Sequence, residues 1–214
     1  MKVQTKAPRP ASEEFGPAPV SDSADLKVLR AAAAGCRACP LWRKATCTVF
    51  GEGPSRSNVM LVGEQPGDQE DRAGHPFIGP AGKLLDRAIE AAGLDRSAFY
   101  VTNAVKHFKW TPQGKRRLHA KPTAREMAAC RPWLEAEIRA LRPDLIVCLG
   151  ATAARQVVDK SVRVTVARGT TLENDFGVPA LITVHPSSLL RRAGGGDLEQ
   201  EFDHFVADLK KIRL

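Results

Sequence analysis

Two kinds of residue in this chain have types and spacings suited to chemistry. The first is a thiol pair, Cys36-Arg37-Ala38-Cys39-Pro40, whose two-residue spacing lets both sulfurs face one metal or cluster. The second is a set of polar side chains placed directly behind short apolar runs. Glu64 and Gln65 follow the run Val59 to Val62 within VMLVGEQPGDQEDRAGHPFIG, with Gly63, Pro66 and Gly67 marking a sharp turn. Asn103 falls near the end of FYVTNAV, and His185 follows ALITV. Glycines beside such polar groups let backbone amides approach a ligand closely. The bland alternative for the first stretch is a strand-to-helix turn whose acids, Asp68, Glu70 and Asp71, cap the helix after Pro80.

The elements that must position these residues read as alternating strands and helices. Val59 to Val62, Phe99 to Val105, Leu145 to Leu149 and Ala180 to Val184 are short apolar runs, as in strands buried on both faces. Helical patterns separate them, notably Pro80 to Ala92 and a long segment from Pro122-Thr123 to about Leu141. The fold class predicted is α/β, a single-domain three-layer sandwich around a central four-stranded parallel sheet. In such a sheet the C-terminal strand ends share one edge, so Glu64, Gln65, Asn103 and His185 can converge on one crevice. Lys106 to Lys121 reads as a long, irregular, basic connection. The thiol pair follows a helix rather than a strand, which disfavours a thioredoxin-type redox motif. No GxGxxG follows the first strand and no GxxxxGK[ST] occurs, so dinucleotide and P-loop chemistry are poorly supported.

Composition bounds the partners. The 214 residues are 43% hydrophobic, enough for one domain with a substantial core. A net charge of +8 favours a polyanion, nucleic acid first. Residues 1–25, rich in Pro, Ser and charge, read as a disordered tail, with the domain spanning 26–214. That tail has no apolar core of a secretory signal, and no run reaches the roughly 18 residues of a membrane span. Five cysteines, an odd number, favour a reducing compartment and metal ligation over disulfides. A cytoplasmic monomer without membrane contact is expected.

Taken together, GEQPG with HPFIG downstream, VTNAVK and HPSSLLR resemble the signatures of the uracil-DNA glycosylases, specifically their iron–sulfur branch. The resemblance runs from Cys36 onward, with the motifs in the family's order. The insertion KRRLH, Lys115 to His119, resembles the loop of the X-type members (UdgX), which become covalently attached to uracil-containing DNA. The resemblance implies that Phe77 stacks on a flipped uracil and Asn103 hydrogen-bonds its polar edge, with Gly63 and Gly67 lining the base site. His185 would stabilise the departing base, and His119 would capture the sugar carbon. Ser187 to Arg191 would enter the minor groove, with Ser187 and Arg191 binding DNA and Leu189 as the wedge. Lys115, Arg116 and Arg117 would meet phosphates. Uracil would be the product.

Some positions depart from the family's pattern. Gln65 stands where well-known members carry a water-activating aspartate, leaving Glu64 as the nearby carboxylate. The usual cysteine after NxVK is replaced by His107. The implied ligands of a 4Fe-4S cluster are therefore Cys36, Cys39, His107 and Cys130, with Cys47 as the rival to His107 and Cys148 as a buried strand residue. Singly, Asn103 could be a turn residue, His185 a cap, and His119 an exposed histidine.

Overall fold

The computed structural model describes residues 15–191 and 198–213, the side chain of Arg191 excepted. The order of strands and helices is β1 (Val59–Gly63), α2 (Asp68–Ala73), α3 (Pro80–Ala91), β2 (Phe99–Asn103), β3 (Trp110–Gln113), β4 (Arg116–His119), α4 (Ala124–Leu141), β5 (Leu145–Leu149), α5 (Ala151–Val157), α6 (Val164–Ala167), β6 (Thr171–Leu172), β7 (Ala180–Thr183), α7 (Pro186–Arg191) and α8 (Leu198–Leu209), preceded by α1 (Leu26–Ala33). Among the described residues the main sheet runs β2-β1-β5-β7-β6. The first four strands are parallel, as expected, but the sheet is five-stranded: β6 adds a two-residue antiparallel edge against β7.

Side-chain alternation along each strand builds two cores. Val59 and Leu61 join Val101, Val147 and Leu181 on the face covered by α3 and α8. Met60 and Val62 join Tyr100, Ile146, Cys148 and Ile182 on the face covered by α4 and α5. β1, β2, β5 and β7 are buried on both sides, which explains their apolar sequences. The result is the three-layer sandwich. A third apolar group joins α1, Cys36, Cys39, Phe50 and residues of α4 including Ala129, Cys130, Trp133 and Ala136. α4 opens with a capping box, in which Thr123 and Glu126 satisfy each other's backbone amides.

Two sequence expectations change. Residues 1–14 of the expected tail lie outside the described residues, but the chain from Phe15 is docked. Ala18 N–H donates to the Ala129 carbonyl at 2.9 Å, and Phe15 and Val20 pack against the third group. Apolar residues inside a Pro/Ser-rich segment supply that docking. The connection after Lys106 is not irregular either: β3 and β4 form an antiparallel hairpin pairing Trp110 with His119. Its two-residue loop places Gly114 at φ +58°, the conformation that a tight hairpin of this kind demands at its first position.

Candidate active site

β1 and β2 are in register through Gly63 and Asn103, and Leu149 of β5 is in register with Thr183 of β7. The residues beyond these ends enclose a cavity of about 840 Å³, lined in part by Glu64, Phe77, Asn103, His119, His185 and Leu190. Because β2 lies to one side of β1 while β5 and β7 lie to the other, the loops after β1 and β5 diverge at a crevice, where open α/β sheets place ligands. Thr152, at the start of α5, donates its hydroxyl to Glu64 Oε2 across that crevice.

The floor of the cavity is tightly constrained. A Cβ on Gly63 would lie 2.4 Å from Asn103 Oδ1 and 2.5 Å from Phe77 Cζ. Glycine is required here because two planar groups close over the strand end. Phe77 itself has φ +58°, a conformation that bulky residues rarely adopt and that costs about 1–3 kcal/mol. Gly82 makes room for this turn, since a Cβ there would sit 1.7 Å from the Phe77 carbonyl oxygen. Glu70 fulfils the bland capping role: its Oε1 accepts the Gly79 N–H at 2.9 Å beside the start of α3. Gly67 precedes α2, with Glu70 Oε2 beside the position its Cβ would take.

His185 has a defined polarity. The Ser187 N–H donates to His185 Nδ1 at 3.2 Å. A backbone amide can only donate, so Nδ1 accepts and, in the neutral ring, Nε2 carries the proton. The Ser187 hydroxyl lies 2.8 Å from the same nitrogen. The Phe77 and His185 rings are 6.2 Å apart between centroids.

His119, half exposed at the end of β4, reaches Glu64: Nε2 to Oε1 is 3.5 Å. The hairpin that carries it is held by two devices. Gln65 donates to the carbonyls of Lys109 and Ala120, both at 3.1 Å, and accepts the Lys109 N–H at 3.1 Å. One carboxamide therefore ties together both ends of the hairpin. The Gln65 carboxamide is thereby committed to three backbone bonds that hold the hairpin. Arg117 is the second device and does not face solvent as expected. Its guanidinium pairs with Asp68 and, at 2.7 Å, with Asp71 Oδ2, and its side chain is 12% exposed. Alternation along β4 explains this, because Arg117 and His119 share the inward face while Arg116 and Leu118 point outward. Lys115 and Arg116 are exposed at the tip.

Leu189 also departs from expectation. It is 1% exposed and packs in the α3–α8 core, whereas Leu190 is 40% exposed and lines the cavity. The helix α7 turns adjacent residues about 100° apart, so only one leucine of the pair can face out. The side chain of Arg191 lies outside the described residues.

Cys36, Cys39 and Cys130 are buried together in the third apolar group as free thiols. Burial pushes Cys39 up and Cys130 up to about 12, with the neighbouring thiols adding to both. The Lys106 N–H donates to Cys130 Sγ at 3.2 Å. His107 is buried, with Nε2 2.9 Å from Thr48 Oγ1, and burial pushes its pKa down to about 4. Cys47 instead donates its thiol to the Asp71 carbonyl at 3.0 Å. Among the described residues no three His, Cys, Asp or Glu side chains converge as they would on a single ion. A 4Fe-4S cube offers a separate iron to each donor, so a buried pocket of spaced thiols fits it better than a point ion. Cys148 is fully buried in β5, its thiol pushed up by burial alone.

Comparison with known proteins decides the family. The model of the uracil DNA glycosylase superfamily matches residues 50–210. The chain belongs to the uracil DNA glycosylase superfamily. Among relatives, a Type-4 uracil-DNA glycosylase of Thermotoga maritima is 42% identical over 157 residues, covering 73% of this chain and 78% of that protein. A Type-4 enzyme of Sulfurisphaera tokodaii is 33% identical over 196 residues, covering 88% and 83%. A Type-5 enzyme of Pyrobaculum aerophilum is 31% identical over 153 residues, covering 64% of each. The superfamily match includes the whole cavity, while Cys36 and Cys39 precede it. No helix among the described residues is long and apolar enough to cross a membrane.

Proposed function

We propose that this chain is a uracil-DNA glycosylase that cleaves uracil from DNA and then holds the abasic sugar covalently through His119. The observation that carries the reading is the placement of His119 Nε2 3.5 Å from Glu64 Oε1, in the cavity that Phe77, Asn103 and His185 also line. A base must leave the duplex before its glycosidic bond can be reached. In the cavity Phe77 stacks on the flipped uracil, and the Asn103 carboxamide offers one donor and one acceptor to its edge. The C1′–N1 bond breaks with its electron pair going to uracil, and the His185 Nε2–H donates to the negative charge that develops there. Glu64, fixed by Thr152, stabilises the sugar cation. With the ring proton on Nδ1, the lone pair of His119 Nε2 then forms a bond to C1′, and the Nδ1 proton of the resulting imidazolium passes to solvent. Among the described residues no further group is assigned to displace the imidazole in this reading, so one turnover ends the reaction.

Lys115 and Arg116 contact phosphates in this reading, Ser187 lies along the backbone, and Leu190 fills the gap left by the base. Cys36, Cys39, Cys130 and His107 would hold a 4Fe-4S cluster. Cys47 is disfavoured because its thiol is turned to Asp71. When bound, the cluster supplies thiolate–iron bonds that lock α1, the CxxC turn and α4 together. Incubation with a uracil-containing oligonucleotide followed by denaturing electrophoresis tests the proposal. A protein–DNA band that survives denaturation is the expected result. Free uracil without that band would indicate an ordinary hydrolytic glycosylase, and neither would indicate a binding module.

A further inference from the structure

Lys106 is fully buried, and none of the roles above uses its side chain. Its Nζ donates to Thr102 Oγ1 and to the Asn103 carbonyl, each at 2.7 Å, and pairs with Glu137 of α4. Glu137, also fully buried, accepts from Tyr100 OH and the Gly51 N–H, each at 2.9 Å, and from Thr102 Oγ1 at 3.0 Å. A charged pair without water is expensive unless its remaining donors and acceptors are satisfied, and here they are. The Lys106 N–H reaches Cys130 Sγ, while the Ala104 and Val105 amides reach the carbonyls of Gly63 and Glu64 at 2.9 and 3.0 Å. A four-residue backbone path therefore joins the thiol pocket to the cavity floor, and Lys106 secures both ends.

We infer that the Lys106–Glu137 pair is a strut that sets the Asn103 carboxamide for uracil. Lys106 is a positioning residue: it holds the Asn103 carbonyl from behind while the side chain of Asn103 faces the ligand. Gly63 leaves no room for even a Cβ beneath Asn103 Oδ1 and Phe77, so displacement of this peptide misplaces the donor and acceptor. The inference rests on the uracil-binding reading of the cavity.

The test uses purified iron-loaded protein in two forms. Thr102→Val removes the hydroxyl that bridges lysine and glutamate with little change of volume. Lys106→Met with Glu137→Gln removes both charges together and leaves no unpaired ion. Three quantities are read: affinity for free uracil by calorimetry, hydrogen exchange at the 104–106 amides, and iron content. The double variant should bind uracil about tenfold more weakly, the scale of an outer-shell loss, and Thr102→Val about threefold. In both, the 104–106 amides should exchange faster while affinity for uracil-free DNA and iron content stay at wild type. Wild-type uracil affinity and exchange in folded, iron-loaded variants would overturn the strut, as would loss of uracil affinity only in step with loss of iron. Should the double variant fail to fold, Thr102→Val decides alone. If wild-type protein neither binds uracil nor releases it from DNA, the glycosylase reading fails, and amide exchange still judges the strut.

Discussion

Replacing Arg117 with glutamine should slow covalent capture without changing how DNA binding responds to salt. Arg117 makes two ion pairs of different worth. Asp68 is 40% exposed, so its pair contributes at most about 1 kcal/mol. Asp71 is fully buried, and breaking such a pair costs about 3–5 kcal/mol where nothing else compensates. Here Asp71 keeps the Thr46 N–H at 2.9 and 3.0 Å, which places the cost at about 2–3 kcal/mol. Falling on the docking of the hairpin, that loss shifts the docked population about 30- to 150-fold. Single-turnover reactions with saturating uracil-containing oligonucleotide, scored for the denaturation-resistant band and for free uracil, should show capture reduced at least about tenfold. Uracil release should fall less, because Asn103 and His185 do not depend on the hairpin. Lys115→Ala and Arg116→Ala should each flatten the salt slope of binding by about 0.9, and Arg117→Gln should not. A flattened slope with wild-type capture in Arg117→Gln would refute the anchoring role.

Further outcomes follow from the same geometry. Leu190→Ala should weaken uracil release from duplex more than from single-stranded DNA, with thermal stability unchanged. Leu189→Ala should instead lose about 2–5 kcal/mol in a denaturant titration. Cys130→Ala should lose iron and the broad visible absorbance of thiolate–iron charge transfer, whereas Cys47→Ala should keep both. In iron-free protein, burial holds the His107 imidazole down to about 4, below the ordinary value of 6.5. Its contribution to stability is therefore complete above about pH 6.5 and is lost as pH falls toward 4, by at most about 3 kcal/mol. Urea midpoints of iron-free protein between pH 7 and 4 should decline accordingly, and His107→Gln should flatten that decline.

Much of the site was legible because a parallel sheet puts every strand's C-terminal end on one edge. Glu64, Asn103 and His185 each follow an apolar run, and that order alone predicts their convergence. The hairpin was hidden because Pro112 and a run of polar residues mask a strand signal, although Gly114-Lys115 is a fitting two-residue loop. Without the hairpin, the inward face of Arg117 could not be separated from the outward face of Arg116. Leu189 and Leu190 are chemically identical neighbours, and only the packing of α7 against α3 and α8 tells them apart. Gln65 occupied a suggestive position, yet its role depends on Lys109 and Ala120, far away in sequence. Lys106 is not legible in the sequence because a lysine in a basic chain reads as surface unless its partner on α4 is known.

The central claim is that the imidazole of His119 becomes bonded to the sugar. Tandem mass spectrometry of the protease-digested adduct tests it most directly. The account predicts that the abasic nucleotide mass maps to His119, and that His119→Ala yields no adduct while still releasing uracil. The mass on another residue, such as Glu64 or Lys121, or a surviving adduct in His119→Ala, would contradict it.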